Sequence, residues 1–432
     1  MPQCKKRVAI IGAGAAGLIA AREAIHEGLQ IVVYEGAEDV GGVWIYRSEV
    51  EDDLLGQSPH KRIYCSLYES LRTNLPRELM AFSDYPFDSR GGGKDEWPQF
   101  MTHHHVNQYL KNFAKNFGVY QHIQFQTKVV RVEKHENQKW LIQLDNGAIE
   151  IFDAVMVCNG HYSKPRIATV PGMEHFKGLL MHSHNYRRPK PFSGKRVVVL
   201  GAGASGEDIS REIALQAKAV YWCAEAFNNL DESSKSTEWP EQRAGVAKIE
   251  NATDVHLKDG SKIGDVDAFL FCTGYHYEFP FLADGIISVE DNWVHPLYLE
   301  LIPPEHTNIA FIGLPHSVIP FPLFEMQSKW YLRRLSGRFE FPSMDTMSLS
   351  VAQQETTLRE EGRPQRHYHK MGDEQFAYIN LLATQCGANP LPDWFETLAH
   401  EAREKRNQYP HLYRDLPLKN TPKYHTKLSQ LK

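Results

Sequence analysis

Val8-Ala9-Ile10-Ile11-Gly12-Ala13-Gly14-Ala15-Ala16-Gly17 stands near the start of this chain. Val197-Val198-Val199-Leu200-Gly201-Ala202-Gly203-Ala204-Ser205-Gly206 repeats its plan, with Gly201 lying 189 residues after Gly12. Each is a β-branched apolar run, then G-x-G-x-x-G, then a stretch of helical character. The first glycine allows a tight turn out of the strand, and the second lets backbone approach a pyrophosphate. The third lets the helix pack close to the strand, and the phosphates sit on free N–H groups at the helix N-terminus. One such motif is weak evidence. Two in the same context predict a chain that binds two dinucleotides and passes electrons between them.

The first unit has its expected second half. Gly12, Gly14, Ala15, Ala16 and Gly17 supply the turn, and Ile31-Val32-Val33-Tyr34 reads as the next strand. Glu35, 23 residues after Gly12, is placed to bind the hydroxyl pair of a ribose. The second cradle offers Gly201, Gly203, Ala204, Ser205 and Gly206, with no acid or arginine following as cleanly.

At 432 residues the length suits two or three domains, and 42% hydrophobic with 23% charged residues is ordinary for a globular protein with a substantial core. A net charge of −5 gives no basic field for nucleic acid. The six cysteines (Cys4, Cys65, Cys158, Cys223, Cys272, Cys386) are scattered with no C-x-x-C, which disfavours a disulfide framework, a zinc site and a dithiol centre. His103-His104-His105 gives no metal site either, because adjacent residues at a helix start point different ways and no acid or cysteine is spaced to help. Met1 to Arg7 leaves no room for a signal peptide before the first strand. The longest uncharged run, Ile309 to Phe324, has sixteen residues interrupted by Pro315, Pro320 and Pro322, too short to span a bilayer, and Lys419 to Lys427 is polar and basic. The expectation is a cytoplasmic protein without an integral membrane segment, peripheral association being left open.

Gly41-Gly42-Val43-Trp44 would let backbone lie against a flat ligand. Apolar spacing predicts a helix over 106–117. Val129 to Val132, Trp140 to Leu144 and Ile149 to Ile151 predict a β-meander with Asn146-Gly147 as its turn, before a buried strand Ala154 to Cys158. The second unit repeats this: a helix from Gly201 to about Ala217, a strand Val220 to Cys223, a meander turning at Asp259-Gly260-Ser261, and a closing strand Ala268 to Cys272. Pro165, Pro171 and Gly172 mark one linker and Pro303-Pro304 the return. The predicted fold is α/β, with two Rossmann-like dinucleotide-binding domains. The domain 171–305 is inserted into a first domain made of 1–170 and a helical part 306–432 that contains the segment around Trp330.

Between the two cradles stands Phe176-x-Gly178-x-x-x-His182-x-x-x-Tyr186. With Leu71-Arg72-Thr73-Asn74-Leu75-Pro76, Met80 to Phe87, Asn159 to Pro165 and Phe271-Cys272-Thr273-Gly274-Tyr275, it makes nearly the whole chain resemble the flavin-containing monooxygenases. Tyr186 stands where the related Baeyer–Villiger enzymes typically carry Trp. The chain is similar to the shorter type without the hydrophobic C-terminal anchor of vertebrate members.

The resemblance implies FAD in the first cradle and NADPH in the second. It also implies O2 as co-substrate and oxygenation of a small soft nucleophile, an amine nitrogen or sulfide sulfur, through a C4a-hydroperoxyflavin. The flavin carries the hard chemistry, which agrees with the lack of a nucleophile triad or carboxylate pair. Cofactor contacts are implied for Gly42, Val43, Trp44, Thr73, Thr273 and Gly274, with a contact from Gln327 conceivable. Asn74 is the implied catalytic group, an uncharged donor and acceptor near flavin and nicotinamide; its alternative is a turn asparagine. Ser205 either donates to the pyrophosphate or fits a tight helix start, while His182 and Tyr186 read as structural.

One departure concerns the coenzyme. The family usually places an arginine beyond the second strand for the 2′-phosphate of NADP. Here Glu225 lies 24 residues after Gly201, almost where an NAD-binding unit puts its ribose acid. Lys235 or Arg243 could supply the charge, so NADPH is expected, with NADH or dual use open. A narrower Baeyer–Villiger or N-hydroxylating enzyme and a non-catalytic FAD/NAD(P)-binding redox sensor stay as alternatives. Substrate-pocket walls are expected near residues 60–75 and 310–330, and a homodimer is left open.

Overall fold

The computed structural model describes residues 5–228 and 240–422. Within them, residues 5–44, 72–160 and 279–422 form one compact unit, and 45–71 with 161–228 and 240–278 form a second. The sequence boundaries at 170/171 and 305/306 therefore fall ten and twenty-seven residues beyond the observed breaks. The proline signals sit inside folded structure. Lys164–Pro165 pairs antiparallel with Tyr275–His276, and the carbonyl of Pro171 accepts the Ile249 N–H at 2.8 Å.

Each unit is built on a five-stranded, all-parallel sheet of the same plan. In the first the order is Ile309–Phe311, Ala154–Val157, Arg7–Ile11, Gln30–Tyr34, Ile123–Gln124. In the second it is Leu179–His182, Ala268–Phe271, Arg196–Leu200, Ala219–Cys223, Glu241–Arg243. A parallel strand covered on both faces needs an unbroken apolar run, which is why Val8 to Ile10 and Val197 to Val199 are fully buried. Each sheet carries a three-stranded antiparallel meander, Val129–His135, Lys139–Leu144 and Ile149–Phe152 in the first, and Val246–Glu250, Asp254–Leu257 and Lys262–Ile263 in the second. The turns match expectation: Gly147 and Gly260 both have positive φ, and the side chains of Asn146 and Asp259 accept the N–H two residues on.

Helix His103–Asn116 takes in the predicted segment up to residue 116, with Phe117 as its C-cap, and starts three residues earlier, on a capping box between Thr102 and His105. The three histidines are thus the first turn of a helix. The uncharged run from 309 divides into strand Ile309–Phe311 and the helix Pro320–Leu335, with prolines in its first turn where no N–H is needed. Helices Met344–Glu360, Glu374–Cys386 and Trp394–Gln408 complete the first unit.

Helix Ala15–His26 lies along helix Pro320–Leu335, its small Ala20, Ala21 and Ala24 fully buried. This contact encloses a charged cluster. The Arg22 guanidinium meets Asp84 at 2.5 Å, Glu23 at 2.9 Å and Glu325 at 3.4 Å, and Lys329 meets Glu325 at 2.5 Å. Three carboxylates share two cations, and burial pushes the Glu23 carboxyl up to about 7, against the pull of Arg22 and Lys329. A raised carboxyl binds a proton in the folded state that the unfolded chain has released. Its contribution is therefore fully present below about pH 4.5 and lost as pH rises through 7. Glu23→Gln is expected to flatten that decline and to stabilise the first unit at pH 8 by on the order of 1–3 kcal/mol. Chemical denaturation of both proteins at pH 5 and pH 8 checks it; an unchanged pH slope contradicts it.

The segment 45–71 belongs to the second unit because buried polar groups fasten it there. Arg187, buried, donates to the carbonyls of Arg47 at 2.7 Å, Cys65 at 3.1 Å and His184 at 2.7 Å. Glu51, also buried, accepts the Ile63 N–H at 2.9 Å and lies 3.4 Å from His184 Nε2, while its own N–H donates to Asn185 at 2.9 Å. Arg187, Glu51 and Asn185 are thus each hydrogen-bonded, as burial demands.

Candidate functional site

The first cradle is shaped by what its glycines touch. Gly12 has φ +101°, and a Cβ there would stand 2.6 Å from the Cys158 carbonyl oxygen. A Cβ on Gly17 would stand 1.8 Å from the Gly12 oxygen, so strand and helix meet with no room for a methyl group. Gly14 is different, its nearest neighbour being Gly42 Cα at 3.5 Å. The helix then begins at Ala15 with no side chain capping Gly14, and its geometry leaves the N–H groups of Ala15, Ala16 and Gly17 without intrahelical acceptors. That arrangement fits a pyrophosphate.

Glu35, directly after strand Gln30–Tyr34, accepts the N–H groups of Ala13 and Ala37, each at 2.7 Å. Its remaining lone pairs are those a ribose diol would use. Gly42, Val43 and Trp44 form a single half-buried turn, with Trp44 edge-on to Phe321 at 6.5 Å.

Thr73 and Asn74 lie in the same unit with separate tasks. Thr73 is buried, its hydroxyl donating to the Leu75 carbonyl at 2.8 Å and accepting the Met101 N–H at 3.0 Å. Those bonds hold Thr73 in the loop. Asn74 beside it is half-buried, and its amide makes no hydrogen bond to another described residue. Gln327, for which a flavin contact is expected from the sequence, has partners within the protein. It is fully buried, with Oε1 accepting the Gly313 N–H and Nε2 donating to the Tyr378 hydroxyl, both at 2.9 Å, so its amide braces the Gly313 turn.

The second cradle repeats the first. Gly201 has φ +126°, with a Cβ 2.3 Å from the Cys272 oxygen, and a Cβ on Gly206 would stand 1.9 Å from the Gly201 oxygen. At Gly203 a Cβ would meet none of the described residues within 4 Å. The protein's own packing explains the first and third glycines but not this one. Gly203, Ala204 and Ser205 are exposed at the uncapped start of helix Ala204–Ala214, a site open to an anion. The Trp222 indole, which sequence reasoning missed, donates to the Gly201 carbonyl at 2.7 Å and fixes the turn.

Thr273 donates to the Arg166 carbonyl, and Gly274, with φ +82°, accepts the Arg166 N–H. Burial lowers the His182 imidazole to about 3, so it is neutral, its Nδ1 accepting the His184 N–H at 3.0 Å. The Tyr186 hydroxyl donates to Glu212 at 2.8 Å, and a Cβ on Gly178 would meet the Asp267 oxygen at 2.3 Å. The segment Phe176 to Tyr186 is thus structural within the second unit. Glu225 pairs with Lys258, and Arg243 sits on the neighbouring strand. Lys235 lies outside the described residues. No group of three or more His, Cys, Asp or Glu among the described residues is placed to hold a metal ion, and no described helix is long and apolar enough to cross a membrane.

Two parallel sheets, each ending in the same glycine cradle, define an α/β protein with two Rossmann-like dinucleotide-binding domains. Residues 5–230 and 241–399 match the family model described as Flavin-binding monooxygenase-like. The chain is 42% identical to flavin-containing monooxygenase FMO GS-OX-like 3 of Arabidopsis thaliana, over 96% of this chain and 94% of that one. Among solved structures, S-allyl-L-cysteine S-oxygenase from Allium sativum aligns with a TM-score of 0.91 at 39% identity, covering 96% of each chain. Tmm from Pelagibacter sp. strain HTCC7211 aligns at 0.81 with 25% identity, over 96% of this chain and 94% of that one. The chain belongs to the flavin-containing monooxygenase family, and it is a flavin-dependent monooxygenase.

Proposed function

We propose that this enzyme is an NADPH-dependent S-oxygenase of small thioethers, with FAD held at Gly12, Gly14 and Gly17 and the nicotinamide coenzyme at Gly201, Gly203 and Gly206. The doubled cradle carries the reading, above all Gly203, whose open surroundings make sense as room for a pyrophosphate. The choice of sulfur rests on the likeness to the Allium S-oxygenase over nearly the full length. A flavin held in the first cradle would supply the activation of O2, from which the transferred oxygen atom comes.

The chain's own residues bind and orient. The N–H groups at Ala15 and Ala16 would hold one pyrophosphate and those at Ala204 and Ser205 the other, while Glu35 accepts from a ribose. Asn74 offers a donor and an acceptor without a titratable proton, so it can hold polar ligand atoms without acidifying the place where oxygen is transferred.

The test compares S-allyl-L-cysteine with a tertiary amine such as trimethylamine, using purified FAD-loaded protein and NADPH. Sulfoxide should form with a kcat/KM at least about tenfold above that for the N-oxide, since a site built for one nucleophile rejects another by its unpaired polar groups. A preference for the amine overturns the assignment to sulfur. NADPH oxidation yielding only hydrogen peroxide with both overturns oxygenation itself.

A further inference from the structure

Strand register aligns the residues just beyond the second strand of each sheet. Ile11 pairs with Tyr34 and Leu200 with Cys223, so the counterpart of Glu35 is Ala224. Glu35 holds the Ala13 N–H and is placed for a ribose diol; Ala224 has no carboxylate to do either. Glu225, one residue further, is not the ribose acid that its spacing suggests.

Its carboxylate is already taken. Lys258 Nζ pairs with Oε1, and Asn228 Nδ2 donates to Oε2 at 3.0 Å. Asn228 Oδ1 in turn accepts the Gly245 N–H at 2.8 Å, and the Lys258 N–H donates to the Gly245 carbonyl at 2.8 Å. A Cβ on Gly245 would stand 3.2 Å from the Glu225 carboxyl carbon, so the glycine gives the carboxylate its place. Beside this latch, Arg243 is the register partner of Cys223; its guanidinium pairs with Glu241 at 2.6 Å, and its buried Nε has no acceptor among the described residues.

A half-exposed ion pair such as Glu225–Lys258 adds little to stability, so its use lies elsewhere. An ammonium has three donors, and Glu225 accounts for one. A free 2′-hydroxyl asks for an acceptor and a 2′-phosphate for cations, and Lys258 and Arg243 stand beside the end of the second strand, paired with Glu225 and Glu241. Resting on the reading of that cradle as the nicotinamide site, we propose that Lys258 is the residue that selects NADPH over NADH, with Glu225 and Asn228 positioning its ammonium and Arg243 a second cation at the same strand ends.

Titration calorimetry of the FAD-loaded protein with NADP+, NAD+, adenosine 2′,5′-bisphosphate and 5′-AMP tests this without turnover. Lys258→Met should weaken NADP+ and the bisphosphate about ten- to a hundredfold, as for loss of a charged hydrogen bond, with NAD+ and 5′-AMP within about twofold. Lys258→Arg should keep the preference. Glu225→Gln, which leaves Lys258 an acceptor but removes the like charge, should tighten NADP+ and leave NAD+ unchanged. Equal weakening of both nucleotides in Lys258→Met, or none, overturns the proposal. A wild-type protein that binds none of the four ligands contradicts instead the reading of the cradle.

Discussion

Replacing Asn74 by alanine is expected to leave the protein folded and yellow. Sulfoxide formation should fall about a hundredfold, and the electrons of NADPH should pass into hydrogen peroxide. The loop around it would keep its place, because others hold it. Thr73 donates its N–H to the Met101 carbonyl at 2.7 Å, its own carbonyl accepts Arg414 Nε at 3.0 Å, and Arg72 bridges to Thr102. Asn74 contributes none of these fixings, and its half-buried amide makes no hydrogen bond to another described residue. Removing one preorganised polar group from a catalytic site lowers rates by about 10² to 10³, the scale expected here. Flavin absorbance, NADPH consumption, sulfoxide and peroxide measured side by side separate the outcomes. Product at the wild-type rate removes Asn74 from the chemistry, and loss of flavin makes it a binding residue.

The second large effect contrasts two glycines three residues apart. Gly206→Ala would force a methyl group to within 1.9 Å of the Gly201 oxygen, so helix and strand must separate, and the second unit should lose stability by several kcal/mol. Gly203→Ala meets none of the described residues within 4 Å, and its Tm should match the wild type. Its NADP+ affinity should nonetheless fall by tenfold or more, about 1.4 kcal/mol, because the methyl group occupies the approach to the helix N-terminus. The two substitutions thus separate packing from binding. Wild-type NADP+ affinity in Gly203→Ala would show that the pyrophosphate lies elsewhere.

The parts of this fold written in local pattern are legible in the sequence. Buried parallel strands demand apolar runs, tight turns demand glycine, and both cradles announce themselves at Gly12 and Gly201. Turns such as Asn146-Gly147 carry the same kind of signal. The hidden parts depend on partners distant in sequence. The attachment of 45–71 to the second unit rests on Arg187, whose acceptors lie up to 140 residues away. Trp222 gives no sign of holding Gly201, and Gln327 gives none that Gly313 and Tyr378 would claim its amide. Glu225 misleads for a different reason. Spacing places it one residue from the ribose position, and only the pairing of Leu200 with Cys223 shows that Ala224 stands there. The linkers fall elsewhere because proline marks a break in pairing, and Pro165 sits in a strand at an edge where no N–H is needed.

Oxygen transfer from O2 to sulfur is tested most directly by isotope. Purified FAD-loaded protein, NADPH and a small thioether are mixed under ¹⁸O₂, and product oxygen, NADPH and peroxide are counted. The expected result is a sulfoxide carrying one ¹⁸O for each NADPH consumed, with little peroxide. Unlabelled sulfoxide, or NADPH consumed in step with hydrogen peroxide while the thioether stays intact, would contradict it.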